Sequence, residues 1–179
     1  MTAAANTTEA AARSIRRAAA CARVSGVSLV VLGGISLVFA ITNPLSAGFL
    51  VSVAVLANGL VEWRYARRLA ALDPRAPGVL AINQLLLGLA IAVYSAWQVF
   101  TLDPAALGAL LTRPPIKDLL QLFDPAFLEL LITVFPETVR FLYAVVGAVA
   151  LLGCAATAWY YSGRRRPLTA LLSAPPPFR

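Results

Sequence analysis

Four stretches of this chain are apolar for long enough to cross a bilayer as helices, and they set its plan: Val24 to Ile41, Ser46 to Trp63, Gly78 to Thr101, and a last one opening near Pro136 and ending at Trp159, Tyr160 and Tyr161. A spanning helix needs roughly 20 predominantly apolar residues, and each stretch meets that length. Residues 1–23 read as a basic amphipathic helix. Asn6 is a candidate N-cap with Glu9 three residues on, and Arg13, Arg16, Arg17 and Arg23 lead unbroken into span one. The basic lead resembles that of a signal peptide, but the apolar run exceeds the usual 7–15 residues of such a core. It reads as an uncleaved span, with cleavage the alternative. Thr42, Asn43, Pro44 and Leu45 form a turn, because proline cannot continue a helix and biases the residue before it away from helical dihedrals.

The resulting expectation is an all-α integral membrane protein with four transmembrane helices in a bundle. Residues 24–66 are the first hairpin, 67–77 a loop, 78–101 the third span, 139–162 the fourth, and 163–179 a basic, Pro-rich tail. Between spans three and four, residues 102–138 are too apolar for a solvated loop. Pro104, Pro114, Pro115, Pro125 and Pro136 cut them into pieces of about ten residues, half of what a span needs. Short amphipathic helices are therefore expected there, opened by Asp103-Pro104 and Asp124-Pro125 as N-cap carboxylates before a proline at the first helical position. Their stripe of Leu119, Leu120, Phe123, Phe127, Leu130 and Leu131 is too apolar to face water. It lies in the outer interface, folds over the bundle or meets a partner. The segment's net charge of −3, from Asp103, Asp118, Asp124, Glu129 and Glu137 against Arg113 and Lys117, favours partner contact at Leu119, Phe123, Phe127 and Leu131 over an anionic membrane surface.

Composition agrees: 60% of residues are hydrophobic and 13% charged, with mean hydropathy +0.79, against roughly 45–50% and about 25% for a soluble domain. Disorder is excluded on the same ground. The formal net charge of +7 bears on topology and lipid headgroups, not on nucleic acid. Of the 15 basic residues, twelve fall on one side of the four spans: Arg13, Arg16, Arg17, Arg23, Arg64, Arg67, Arg68, Arg75, Arg164, Arg165, Arg166 and Arg179. Positive-inside orientation then puts both termini in the cytoplasm. Arg outnumbers Lys 14 to 1, an association with GC-rich bacterial genomes that suggests a bacterial inner membrane.

Candidate chemistry is sparse. There is no histidine, and two cysteines, Cys21 and Cys154, cannot form a tetrahedral thiolate site. No catalytic, cofactor or metal set is expected. Glu62 stands next to Trp63 and Arg64 at the cytoplasmic boundary, where Arg23, Arg67 or Arg75 is expected to pair with it. Asn58, Asn83 and Gln84 share a depth some 7–9 Å inside that boundary at about 1.5 Å per residue, so they are candidates for a hydrogen bond between spans two and three or for a polar vestibule. Small residues suggest helix packing at Gly33, Gly147 and Ala148, either within the chain or against another protein's helix. The arginine groups Arg64, Arg67, Arg68 and Arg164, Arg165, Arg166 set topology or meet lipid headgroups. Spans one and three share a Leu-Gly step, Leu32-Gly33 and Leu87-Gly88, and both span pairs end in aromatic and arginine groups, a faint internal repeat. The stretch from Gly33-Gly34 through Asn43-Pro44 to Asn58-Gly59 resembles the helical hairpins of HdeD-like acid-resistance membrane proteins, without a motif that carries a function across. The functional expectation is a non-enzymatic component that partners the bilayer and other membrane subunits or itself; a channel or carrier with a pore between protomers is the alternative.

Overall fold

The structure, a computed structural model, describes residues 3–41, 46–111, 114, 120 and 123–173. Among them it is all-helical, with no strand: α1 (Ala3–Ala40), α2 (Ala47–Ala70), α3 (Ala76–Thr101), α4 (Pro104–Leu111), α5 (Pro125–Ser162) and α6 (Arg165–Ser173). Four helices, two of them reaching beyond the apolar stretches, are long and apolar enough to cross a membrane, consistent with a multi-pass membrane protein.

Local chemistry explains most of the boundaries. Ser46 caps α2, its Oγ accepting from the Phe49 N–H at 3.1 Å. At the other end Leu72 has φ 62°, and its N–H donates to the Leu69 carbonyl at 3.1 Å while Asp73 N–H donates to that of Arg68 at 3.0 Å. That pair of bonds is the Schellman arrangement, with leucine where glycine is usual. Asp73 then opens α3: its Oδ1 accepts from Arg75 N–H at 2.9 Å. Asp103 Oδ1 accepts from Ala105 N–H at 2.9 Å and caps α4.

Two expectations from the sequence change here. The break at Pro136 does not occur, and residues 125–162 form one helix of 38 residues with Pro136 inside it. Proline forfeits one backbone bond to the residue four earlier and crowds its carbonyl, but long apolar helices continue through such a defect when flanking turns are intact. The tail is also not all tail: residues 165–173 are helical, with Leu168 buried. Pro167 sits in the first turn, where no N–H is needed.

The chain divides into two compact units, residues 1–91 with 151–179 and residues 92–150. In the first, Ile15, Ala18, Ala19 and Ala22 of α1 meet Ala66 and Leu69 of α2, Ala76, Leu80 and Ala81 of α3, Ala158 and Tyr161 of α5, and Leu168 of α6. The core is mostly alanine, so the backbones come close. The approach of α1 to α2 is closer still: a Cβ at Gly59 would stand 2.7 Å from Val30 N and 2.9 Å from the Gly26 carbonyl, and one at Gly33 2.7 Å from Leu56 N. In the second unit Gly147 packs on Ser95, where an added Cβ would meet the serine Cβ at 2.8 Å. Gln98 Nε2 donates to the hydroxyls of Tyr94 and Tyr143 at 3.0 and 3.3 Å. Arg140 donates to the Leu102 carbonyl at 3.2 Å and pairs with Glu137 at 2.7 Å.

Gly59→Leu is expected to lower stability by at least the ~1–3 kcal/mol typical of overpacking. Gly34→Leu, with open space around its Cβ, leaves it unchanged. Leu72→Gly relieves a left-handed residue and raises stability by about 1 kcal/mol. Thermal unfolding of the three variants in detergent checks all of this, and equal tolerance of leucine at Gly34 and Gly59 would contradict the glycine seam.

Candidate functional site

Among the described residues the most unusual group is Glu62, fully buried at 0% exposure near the end of α2. An ionisable side chain within a spanning helix is a functional candidate by default. Three donors from three other helices meet it. Ser25 Oγ of α1 donates to Oε2 at 3.0 Å, Gln84 Nε2 of α3 to the same oxygen at 2.9 Å, and Tyr161 OH of α5 to Oε1 at 3.0 Å. One turn earlier on α2, Asn58 Nδ2 donates to the Asn83 carbonyl at 3.2 Å, and Asn83 Nδ2 returns a bond to the Asn58 carbonyl at 3.1 Å. Asn58 and Glu62 are four residues apart and so share a helix face; Asn83 and Gln84 present the matching groups from α3.

The expected ion pair of Glu62 is absent. Among the described residues the salt bridges are Arg13–Glu9, Arg68–Asp73 and Arg140–Glu137. Arg23, Arg64, Arg67 and Arg75 are all exposed. Arg67 instead stacks on Trp63 at 4.2 Å and Arg68 on Tyr65 at 4.9 Å. Facing inward at position 62, the carboxylate is about 100° or more around the helix from the arginines at 64 and 67, and uncharged donors take their place.

Chemically, the cluster is a fastener. A buried carboxylate without donors is costly, and hydrogen bonds to an ionised group are stronger than neutral ones. Four helices are thereby tied at one depth. No group of three or more His, Cys, Asp or Glu side chains able to hold a metal is found among the described residues.

The remaining candidates are dispersed. Gly33 and Gly147 stand at close helix approaches, while Ala148, a 100° step further round α5, is exposed. Phe123 and Phe127 are exposed, their rings 5.4 Å apart. Leu119 lies outside the described residues, as does the side chain of Leu131. Arg164 stacks on Tyr160 at 4.1 Å, Arg165 lies against Gly78, and Arg166 is exposed. Ser25 and Tyr161 escaped the sequence reading as partners of Glu62. The signal was their depth, since both fall within two turns of the basic ends of spans one and four.

Comparison with protein-family models, curated proteins and solved structures finds no match, so the hairpin resemblance of residues 33–59 gains no support.

Glu62→Leu leaves the donors of Ser25, Gln84 and Tyr161 without an acceptor, at about 1–3 kcal/mol for each that stays buried. Glu62→Gln keeps shape and one oxygen and is expected to lose less. Unfolding of both variants in detergent measures the difference; Glu62→Leu as stable as the parent protein would refute the fastening role.

Proposed function

We propose that this chain is a non-enzymatic multi-pass membrane protein of a bacterial inner membrane, with both termini cytoplasmic, acting as a small subunit of a membrane complex or as a homo-oligomer. The carrying observation is the distribution of covered surface. In α3, 44% of the most apolar window is buried within the chain, against 11–17% in the other three spanning helices. Three helices therefore keep wide apolar faces for lipid or for a neighbouring protein. On α5 the exposed face includes Ala148, Gly153, Ala155 and Ala156, small residues of the kind that let helices of different chains approach. Phe123 and Phe127 add an exposed aromatic pair before the last span.

The polar groups point the same way. A pore between protomers would be lined by serine and asparagine, yet Asn58 and Asn83 spend their side-chain amides inside the chain. Ser28 and Ser36 of α1 are exposed, too few to favour a channel or carrier. Lipid, other subunits and a second copy are the partners this surface suits.

The test is the mass and composition of the particle extracted in mild detergent. Co-purifying membrane proteins or a symmetric homo-oligomer is the expected result. A lone monomer, or a ring that conducts ions after reconstitution, would overturn it. Phe123→Leu with Phe127→Leu is expected to weaken the assembly, because the aromatic shape is lost while apolar character stays.

A further inference from the structure

At the arginine-rich end of the first unit a groove of about 560 Å³ opens between α1 and the end of α5, lined by Ala10, Arg13, Ser14, Arg17, Tyr160 and Arg164. We propose that it is a binding site for a phosphate ester, and that an anionic lipid headgroup supplies the phosphate.

Three features make the groove more than a charged surface. First, Arg164 is held on two sides: Nη1 donates to Ser14 Oγ at 2.6 Å, and the guanidinium lies 4.1 Å over the Tyr160 ring. Its Nε is buried without a partner among the described residues. A planar fork fixed in this way matches two oxygens of a phosphate at once. Second, Arg13 and Arg17 are four residues apart on one face of α1, a like-charge spacing that is unfavourable by itself. Glu9 pairs with Arg13 at 3.1 Å, whereas Arg17 is exposed and enters no ion pair among the described residues. An anion between Arg17 and Arg164 removes that cost. Third, Ser14 Oγ accepts from Arg164 and still has its own hydrogen to give to a phosphate oxygen.

The depth argues for lipid. Tyr160 belongs to the aromatic group ending the last span, the level at which such rings meet headgroups, and Arg164 follows it by one turn. Lipid phosphates lie at that level, and arginines near the surface are attracted to anionic lipid.

The experiment uses the full chain in uncharged detergent at constant ionic strength. Thermal unfolding midpoints are titrated with phosphatidylglycerol, with phosphatidylcholine and with inorganic phosphate. Phosphatidylglycerol is expected to raise the midpoint. Arg17→Gln is expected to weaken that effect roughly tenfold in lipid concentration, the scale for losing one hydrogen bond to a charged group. Arg164→Lys keeps the charge but loses the fork, and weakens it similarly. Arg75→Gln, exposed and outside the groove, keeps the parent response. Protection by inorganic phosphate, lost in the same variants, assigns the site to free phosphate and keeps its chemistry while overturning the lipid source. Equal weakening by Arg75→Gln means diffuse attraction and overturns the site, as does a parent protein that no phosphate compound stabilises. Should Arg164→Lys fail to fold, Arg17→Gln decides alone, since its side chain is exposed and makes no ion pair with the described residues.

Discussion

A carboxylate shut away from water has to be met by donors or by a cation, and in this chain it is met by donors from three different helices. Glu62 receives Ser25, Gln84 and Tyr161 at 2.9 to 3.0 Å. Each bond constrains the rotation of its helix as well as its distance, because a turn of one residue would carry the partner about 100° away. Apolar packing alone is tolerant of such slips; a polar group in an apolar setting is not, since the alternative is an unsatisfied group at about 1–3 kcal/mol. The reciprocal Asn58 and Asn83 bonds extend the same constraint by one turn. Fixed register at this depth is what gives Ile15, Ala66, Leu80 and Leu168 a common core.

The small residues follow from that constraint. Short donors such as serine reach a carboxylate on a neighbouring helix only where the backbones nearly touch. Gly26, next to Ser25, would place a Cβ 2.7 Å from Trp63 N, next to Glu62. The glycine and the polar pair are two halves of one contact: the close approach brings the serine within range, and the bond keeps the approach in register. The alanines at 18, 19, 22, 66, 76, 81 and 158 extend close packing toward the arginine-rich end. In the second unit Gly147 stands as close to Ser95, but there the buried serine hydroxyl has no hydrogen-bond partner among the described residues.

Much of this was legible in the residues. Four long helices were readable because apolar length is a direct consequence of bilayer thickness. The meeting of Asn58 with Asn83 was readable because antiparallel neighbours bring equal depths together. What escaped was whatever depends on rotation. Glu62 sits among arginines in the chain, and proximity in sequence suggested ion pairs; on the helix those arginines face away. Gln84 turned to Glu62, leaving Asn58 to Asn83 alone. Ala148 is one residue from a tight contact and exposed. Pro136 misled differently, since the rule that proline ends a helix weighs one lost bond heavily, whereas in 38 residues of continuous helix it is a local defect. The helix at 165–173 was hidden by the arginines and prolines around it, and only the placement of Leu168 in the core reveals why it forms.

The arginines, counted together, read as one topological signal, yet the structure divides them by what they touch. Arg67 and Arg68 rest on Trp63 and Tyr65, and Arg68 also reaches Asp73 at 4.0 Å. Such aromatic contacts hold the charge close to the helix end while leaving its outer face wet. Arg16, Arg23, Arg64, Arg75 and Arg166 are exposed. Arg164 differs from both groups, because a hydroxyl and a ring restrain it while its Nε is buried without a partner. Orientation in a membrane requires only that charge be present on a given side. It does not require a fixed guanidinium, and the ordering of a side chain that flexible costs as much as ~2 kcal/mol in rotamer freedom. A restrained arginine at the mouth of a groove therefore fits the proposed phosphate site better than a purely topological role.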